Sequence, residues 1–259
     1  SDLTLYSHQV DPFYHAWLSY YLQLIQEAAG LHAYQLGMSI PHLRRQGMTW
    51  LLLRTSLSIS RYASWPQGLT VTTWPQKPWK FYFPRATIAN DEHGNELFKA
   101  LSQWMVIDLK TRRPARDPVF ANNFDGVGIP YELDPDLGRQ RPFDESMEHM
   151  EPYNPRLLYS DMDFNGHINN ISYVNWLLEA LPHQFRDAYK VASIDISYLA
   201  ETHRDDHIVV RTCIESPQGL TTEEPSLGHV IERSNPDGSV QAVCLAHTVW
   251  KLRSSMAGQ

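Results

Sequence analysis

The sequence predicts an α+β protein built as a tandem repeat, each half an antiparallel sheet wrapped around a central helix. Three observations predict it. The segment DPFYHAWLSYYLQLIQEAA, starting at Asp11, aligns without gaps on DFNGHINNISYVNWLLEAL, starting at Asp163. Asp11/Asp163, His15/His167, Tyr21/Tyr173, Glu27/Glu179 and Ala28/Ala180 are identical pairs. Each segment is followed by four strand-like runs of alternating apolar and polar residues. Between the halves lies a weakly periodic stretch containing Pro, Asp and Gly. The expected organisation is therefore an N-terminal repeat over 1–117, a connector over 118–150 and a C-terminal repeat over 151–259.

In chain order, TLYSHQV opens the first half as a short strand, and a helix follows it up to a Gly37 cap. Leu51, Leu53, Thr55, Leu57 and Ile59 alternate as a strand, followed by LTVTTW, KFYFPRATIAN and LFKALSQWMVID. In the second half EPYNPRLLYS is the matching first strand. Ile168, Ile171, Val174, Leu178 and Leu181 recur at helical spacing. Trp176 and Leu177 widen that face, so this helix is expected to be buried on most sides. Ile194, Ile196 and Tyr198 begin the strands, and IVVRTCIES, LGHVIERS and VQAVCLAHTVWKL complete them. DEHGN and NPDG punctuate hairpins.

The chain has 259 residues, 42% apolar and 20% charged, with a formal net charge of −7. An acidic balance without a basic stripe argues against nucleic-acid binding. No apolar run approaches the roughly 20 residues of a membrane-spanning helix, so no membrane insertion is expected. Neither a secretion signal nor a transit peptide is visible, and the cytoplasm is the expected compartment. Cys213 and Cys244 lack metal or redox spacing and read as buried free thiols.

The stretch DMDFNGHINN, Asp161 to Asn170, admits two readings. Asp161, Asp163 and Asn165 followed by Gly166 open like a calcium-binding EF-hand loop. Position 12 of such a loop needs a bidentate Glu and here is Ser172, while Pro152 and Pro155 spoil the incoming helix. No metal is expected. The alternative is a hydrolytic site built from a carboxylate, an amide and an imidazole.

DMDFNGHINNISYVNWLLEALP is similar to the catalytic-helix signature of the fatty acyl-ACP thioesterases, D-x-N-x-H-[IV]-N-N followed by an aromatic and a Trp. MTWLLLRTSLSISRYASWPQGLTVTTWP and SQWMVIDLKTRRPARDP agree as well, and the resemblance runs from about Tyr6 to Trp250. It implies a double hotdog fold, no cofactor, and hydrolysis of acyl-ACP to free fatty acid and holo-ACP. The lack of a transit peptide resembles bacterial members. Residue by residue, it implies catalytic roles for Asp163, Asn165, His167 and Glu201. Plant members carry a Cys after that acid, where this chain has Thr202. Acyl-CoA hydrolysis and non-catalytic binding of acyl thioesters are the alternatives.

Asp163 and Glu201 are expected to share the base and nucleophile work, with Asn165 positioning water and His167 orienting the acids or protonating sulfur. A helix starting near Gly166 or His167 would offer amides to an oxyanion. Phe13 stands opposite Asn165, and matching YLAETH to RYASWP puts Ser64 opposite Glu201. Only the second copy then holds the full polar set, and the first is expected to wall the acyl chain. ACP is acidic, so a basic patch is expected to dock it: Lys110, Arg112, Arg113 and Arg116, with Arg44 and Arg45 as a second pair. With two fused halves, a monomer or a homodimer is expected.

Overall fold

A computed structural model describes residues 2–78, 80–115, 133–134 and 136–253. The chain forms two compact units, Ser1–Gly138 and Arg139–Gln259. The first contains β1 (Asp2–Thr4), α1 (Leu18–Gln35), α2 (Ile40–Arg44), β2 (Met48–Ile59), β3 (Gly68–Pro75), β4 (Phe83–Asp91) and β5 (Glu96–Asp108). Its strands pair antiparallel in the order β1-β3-β4-β5-β2. The second contains β6 (Glu148–His149), α3 (Asn170–Glu179), α4 (His183–Ala188), β7 (Tyr189–Tyr198), β8 (His207–Ile214), β9 (Ser226–Ser234) and β10 (Val240–Leu252). Its antiparallel order is β7-β10-β9-β8-β6. Exchanging β2–β5 for β7–β10, and β1 for β6, turns one order into the other. The repeat read from 19 residues therefore extends to sheet topology.

The periodic segments form the expected elements. In α1, Tyr21, Leu22 and Ile25 are almost wholly buried, and Tyr21 packs on Phe98 and Tyr62 with ring centroids 4.8 and 5.5 Å apart. In α3, Ile171, Tyr173, Val174, Trp176, Leu177 and Leu178 are all buried. Burying each such side chain is worth about 1.5–3 kcal/mol. The amphipathic strands and the two helices thus stabilise one another. Helix α1 stops where Gly37 adopts φ +70°, and the Met38 amide bonds back to the Ala33 carbonyl at 2.8 Å.

Two expected strands are not formed as read. TLYSHQV ends its strand at Thr4 and turns into a short 3-10 segment over Ser7–Gln9. EPYNPRLLYS makes no strand; it contributes one isolated bridge, Tyr153 to Val210, and a 3-10 turn at Tyr159–Asp161. Pro152 and Pro155 remove two ladder donors from that run. The edge role passes to the two-residue β6, earlier in the chain.

Of the stretch expected to connect the repeats, residues from Arg139 onward belong to the second unit. Ser197 Oγ donates to Gln140 Oε1 at 2.5 Å, and His247 Nε2 lies 3.1 Å from the Arg141 carbonyl. Arg211 binds Glu145 through both guanidinium nitrogens and lies over the Phe143 ring at 5.0 Å. Cys213 and Cys244 are free and buried, and burial pushes both thiols up.

His229 on β9 is wholly buried between hydroxyls, with Nδ1 3.0 Å from Thr212 Oγ1 and Nε2 2.9 Å from Thr248 Oγ1. Trp250 Nε1 donates to the same Thr248 oxygen at 2.8 Å. Burial, reinforced by His247, lowers the His229 imidazole to about 3. The folded chain keeps this ring neutral, whereas the unfolded chain protonates it near pH 6.5. Its influence is absent above that pH and grows on acidification. Stability should fall by about 1.4 kcal/mol per pH unit from about pH 6.5 toward 3 on account of this one group. Urea unfolding between pH 4 and 7 should show a shallower pH slope for His229→Gln, by about one proton. Equal slopes in the two proteins would show that another group governs acid sensitivity.

Candidate active site

The loop preceding α3 is closed by one carboxylate. Asp163 Oδ1 accepts hydrogen bonds from the amides of Asn165 (2.8 Å) and His167 (3.1 Å), and its Oδ2 accepts from Asn165 Nδ2 at 2.8 Å. The Asp163 amide donates to the His167 carbonyl at 2.8 Å, and the Gly166 amide to the Asp163 carbonyl at 3.1 Å. Gly166 holds φ +80°, a conformation that costs glycine little.

The first repeat builds the same loop. Asp11 Oδ1 accepts from the amides of Phe13 and His15, both at 3.0 Å. The Asp11 amide donates to the His15 carbonyl at 2.7 Å, and Tyr14, the counterpart of Gly166, donates to the Asp11 carbonyl and adopts φ +65°. Asp163 and Asp11 therefore share a conformational job that exists without any chemistry. The two loops differ at Asn165, where Phe13 stands instead.

Helix α3 begins at Asn170, not at Gly166 or His167. Asn169 is its cap, with a side-chain oxygen accepting from the Ile171 amide at 2.9 Å. The Gly166 and His167 amides are spent on Asp163, so Gly166 is not the helix terminus expected to stabilise an oxyanion. The amides of the helix's first turn start three to four residues later.

Glu201 follows β7. The amides of Leu199 and Ala200 both reach the Val243 carbonyl, at 2.9 and 3.3 Å. In the first repeat, Ser60 and Arg61 bond the Leu97 carbonyl in the same way, at 2.9 and 3.1 Å. Further on, the His203 amide donates to Asp206 Oδ2 (2.8 Å) as the Ser64 amide donates to Gln67 Oε1 (3.2 Å). These matched bonds put Glu201 opposite Tyr62, and His203 opposite Ser64. The Ser64–Glu201 correspondence is thus two residues out of register. Its consequence stands, since the buried Tyr62 is no acid either.

His167 Nδ1 lies 3.7 Å from Glu201 Oε1, and both side chains are about one-third exposed, at 29% and 30%. The pair is close and water-accessible but exceeds hydrogen-bonding distance. Thr202 is fully buried, and its Oγ1 accepts the Tyr173 hydroxyl at 2.6 Å. Its carbonyl takes the Ile168 amide at 2.8 Å, tying the Glu201 segment to the residue after His167. A residue buried and bonded in this way is a structural link, and Thr202 presents no nucleophile. Two residues that sequence reasoning missed complete the surroundings. The His203 ring packs against His167, and Arg233 Nη1 donates to the Glu201 carbonyl at 2.9 Å.

In the first unit, Arg44 and Arg45 end α2, and Lys110, Arg112 and Arg113 occupy the turn after β5; all five are exposed. The Asp108 carboxylate shapes that turn by accepting the amides of Lys110 (3.0 Å) and Thr111 (2.7 Å). The Leu109 amide donates to the Gly47 carbonyl, whose own amide donates to Arg44. The two basic clusters, far apart in sequence, are neighbours. Arg116 lies outside the described residues.

Residues 3–119 match the acyl-ACP thioesterase N-terminal domain and residues 144–252 the acyl-ACP thioesterase C-terminal domain. An oleoyl-acyl carrier protein thioesterase of Coriandrum sativum is 28% identical over 71% of this chain and 53% of its own length. An oleoyl-acyl carrier protein thioesterase of Arabidopsis thaliana is 25% identical over 90% of this chain and 71% of its own. This chain therefore spans between about half and seven-tenths of these relatives. The crystal structure of an acyl-ACP thioesterase from Bacteroides thetaiotaomicron superposes with a TM-score of 0.80 at 21% identity, covering 97% of this chain and 96% of that one. That likeness identifies the fold as the expected double hotdog.

Asp11→Ala and Asp163→Ala should each cost about 1–3 kcal/mol, because each strands two backbone donors. Denaturant unfolding of both variants measures this. A loss confined to one of them would separate the two loops.

Proposed function

The chain belongs to the acyl-ACP thioesterase family, and from that premise we propose that it hydrolyses the thioester of fatty acyl-ACP to free fatty acid and holo-ACP. The observation that carries the reading is the Glu201–His167 pair, at 3.7 Å and open to water, in the repeat that also holds Asn165. The first repeat has Tyr62 and Phe13 in place of Glu201 and Asn165, and so lacks both the acid and the amide.

The expected sharing of chemistry between two carboxylates narrows to one. Both Asp163 oxygens are engaged in closing the loop, so Asp163 fixes Asn165 and His167 from behind. Glu201 is the working base. It takes a proton from water as the oxygen attacks the thioester carbonyl, and the C–S bond then breaks. The pantetheine sulfur leaves as thiolate and recovers the proton from Glu201 or through His167. Asn165, its amide held by Asp163, positions the attacking water. The positive end of the α3 dipole is the helix terminus of this repeat available to a developing oxyanion. Since Thr202 is buried, no step passes through a covalent intermediate at that position.

Glu201→Gln should lower turnover by at least about 10²-fold while leaving the unfolding midpoint close to wild type. Steady-state hydrolysis of matched acyl-ACP and acyl-CoA across chain lengths reads this, and near-full activity of the variant would refute the base assignment. Tight acyl-thioester binding with no hydrolysis of either carrier would instead favour the non-catalytic binder.

The clustered cations of the first unit dock the acidic carrier. Reversing Arg44, Arg45, Lys110 and Arg113 to Glu should raise KM for acyl-ACP by about tenfold or more at low salt and leave acyl-CoA nearly unaffected. An equal effect on both carriers, or none on either, would remove the patch from the recognition surface.

A further inference from the structure

Glu201, Thr202 and His203 divide between two directions. Thr202 is buried against Tyr173, while the residues on either side of it both meet His167. The His203 and His167 rings lie with centroids 5.0 Å apart and planes crossed at 80°. That is the perpendicular arrangement favoured by aromatic pairs. The 3.7 Å approach of Glu201 is too long to orient the His167 ring by a hydrogen bond. The ring contact is a further constraint on its angle.

The main chain at His203 is held firmly, and its side chain is exposed. Its amide donates to Asp206 Oδ2 at 2.8 Å, and the Asp206 amide returns a bond to the His203 carbonyl at 3.1 Å. Arg233 Nη1 joins Asp206 Oδ2 (3.4 Å) to the Glu201 carbonyl (2.9 Å), stapling both ends of the turn to β9. The first repeat forms this turn with Ser64 and Gln67, so neither the imidazole nor the arginine staple is needed merely to make it.

We propose that His203 is a positioning residue for the thioester hydrolysis, its ring holding His167 turned toward Glu201. This rests on the reading of His167 and Glu201 as working groups. The test is kcat and KM on acyl-ACP for His203→Ala, His203→Phe and the control His167→Ala. His203→Ala should lower kcat about tenfold with KM changed less than about twofold, since misoriented groups cost rate more than binding. His203→Phe keeps a ring without a titratable proton and should restore most of the loss. A kcat within about twofold of wild type for His203→Ala would overturn the proposal. So would equal impairment of the Ala and Phe variants, which would mean that the imidazole itself is required. Full activity of His167→Ala would overturn the underlying reading of the site, a failure distinct from either of these.

Discussion

A single carboxylate on each repeat decides how the chain approaches its buried helix. Asp11 and Asp163 each gather two downstream amides and bond back through their own main chain, closing a loop of five residues. That loop would otherwise leave several amides unpaired at a partly buried junction, each at a cost of about 1–3 kcal/mol. The closure fixes where the histidine, the fifth residue, stands. Once His167 is placed, the Ile168 amide meets Thr202 and carries the Glu201 turn into position. The site is thus a consequence of how a buried helix is begun.

This explains why the same Asp–His spacing occurs in a repeat that lacks the rest of the polar set. The spacing serves conformation first. The proposed chemistry depends on additions to it: an amide at Asn165 in place of Phe13, and an acid at Glu201 in place of Tyr62. Tyr62 is buried against Tyr21 and approaches the His15 ring with a centroid distance of 6.3 Å, so the first repeat closes the space over with aromatic packing. The second opens it to water.

The strands and central helices were legible because their periodicities, 2 and 3.6, are imposed by burial on one face. Three features were not. EPYNPRLLYS has apolar content enough for a strand, but two prolines deny it ladder donors, and the edge position went to residues with no pattern at all. The start of α3 was misplaced because Asp163 and Gly166 are cap-like residues employed in a different turn, with Asn169 as the true cap. The Ser64–Glu201 match failed for a more general reason. A slip of two residues along a chain of alternating faces leaves every side chain on its original side, so periodicity gives no warning of it. Hydrogen bonds to Leu97 and Val243 detect the slip, and a sequence does not display them.

The same alternation bears on Thr202. A residue next to Glu201 must face away from it, and here that direction leads into the core, where Tyr173 receives it. In the first repeat the tyrosine hydroxyl instead accepts the Ala63 amide, at 2.7 Å. Both arrangements use a helix tyrosine to pin the segment beyond β2 or β7, by main chain in one case and by side chain in the other. A hydroxyl at 202 is therefore a packing solution, and the outward positions on either side of it are the ones that meet His167.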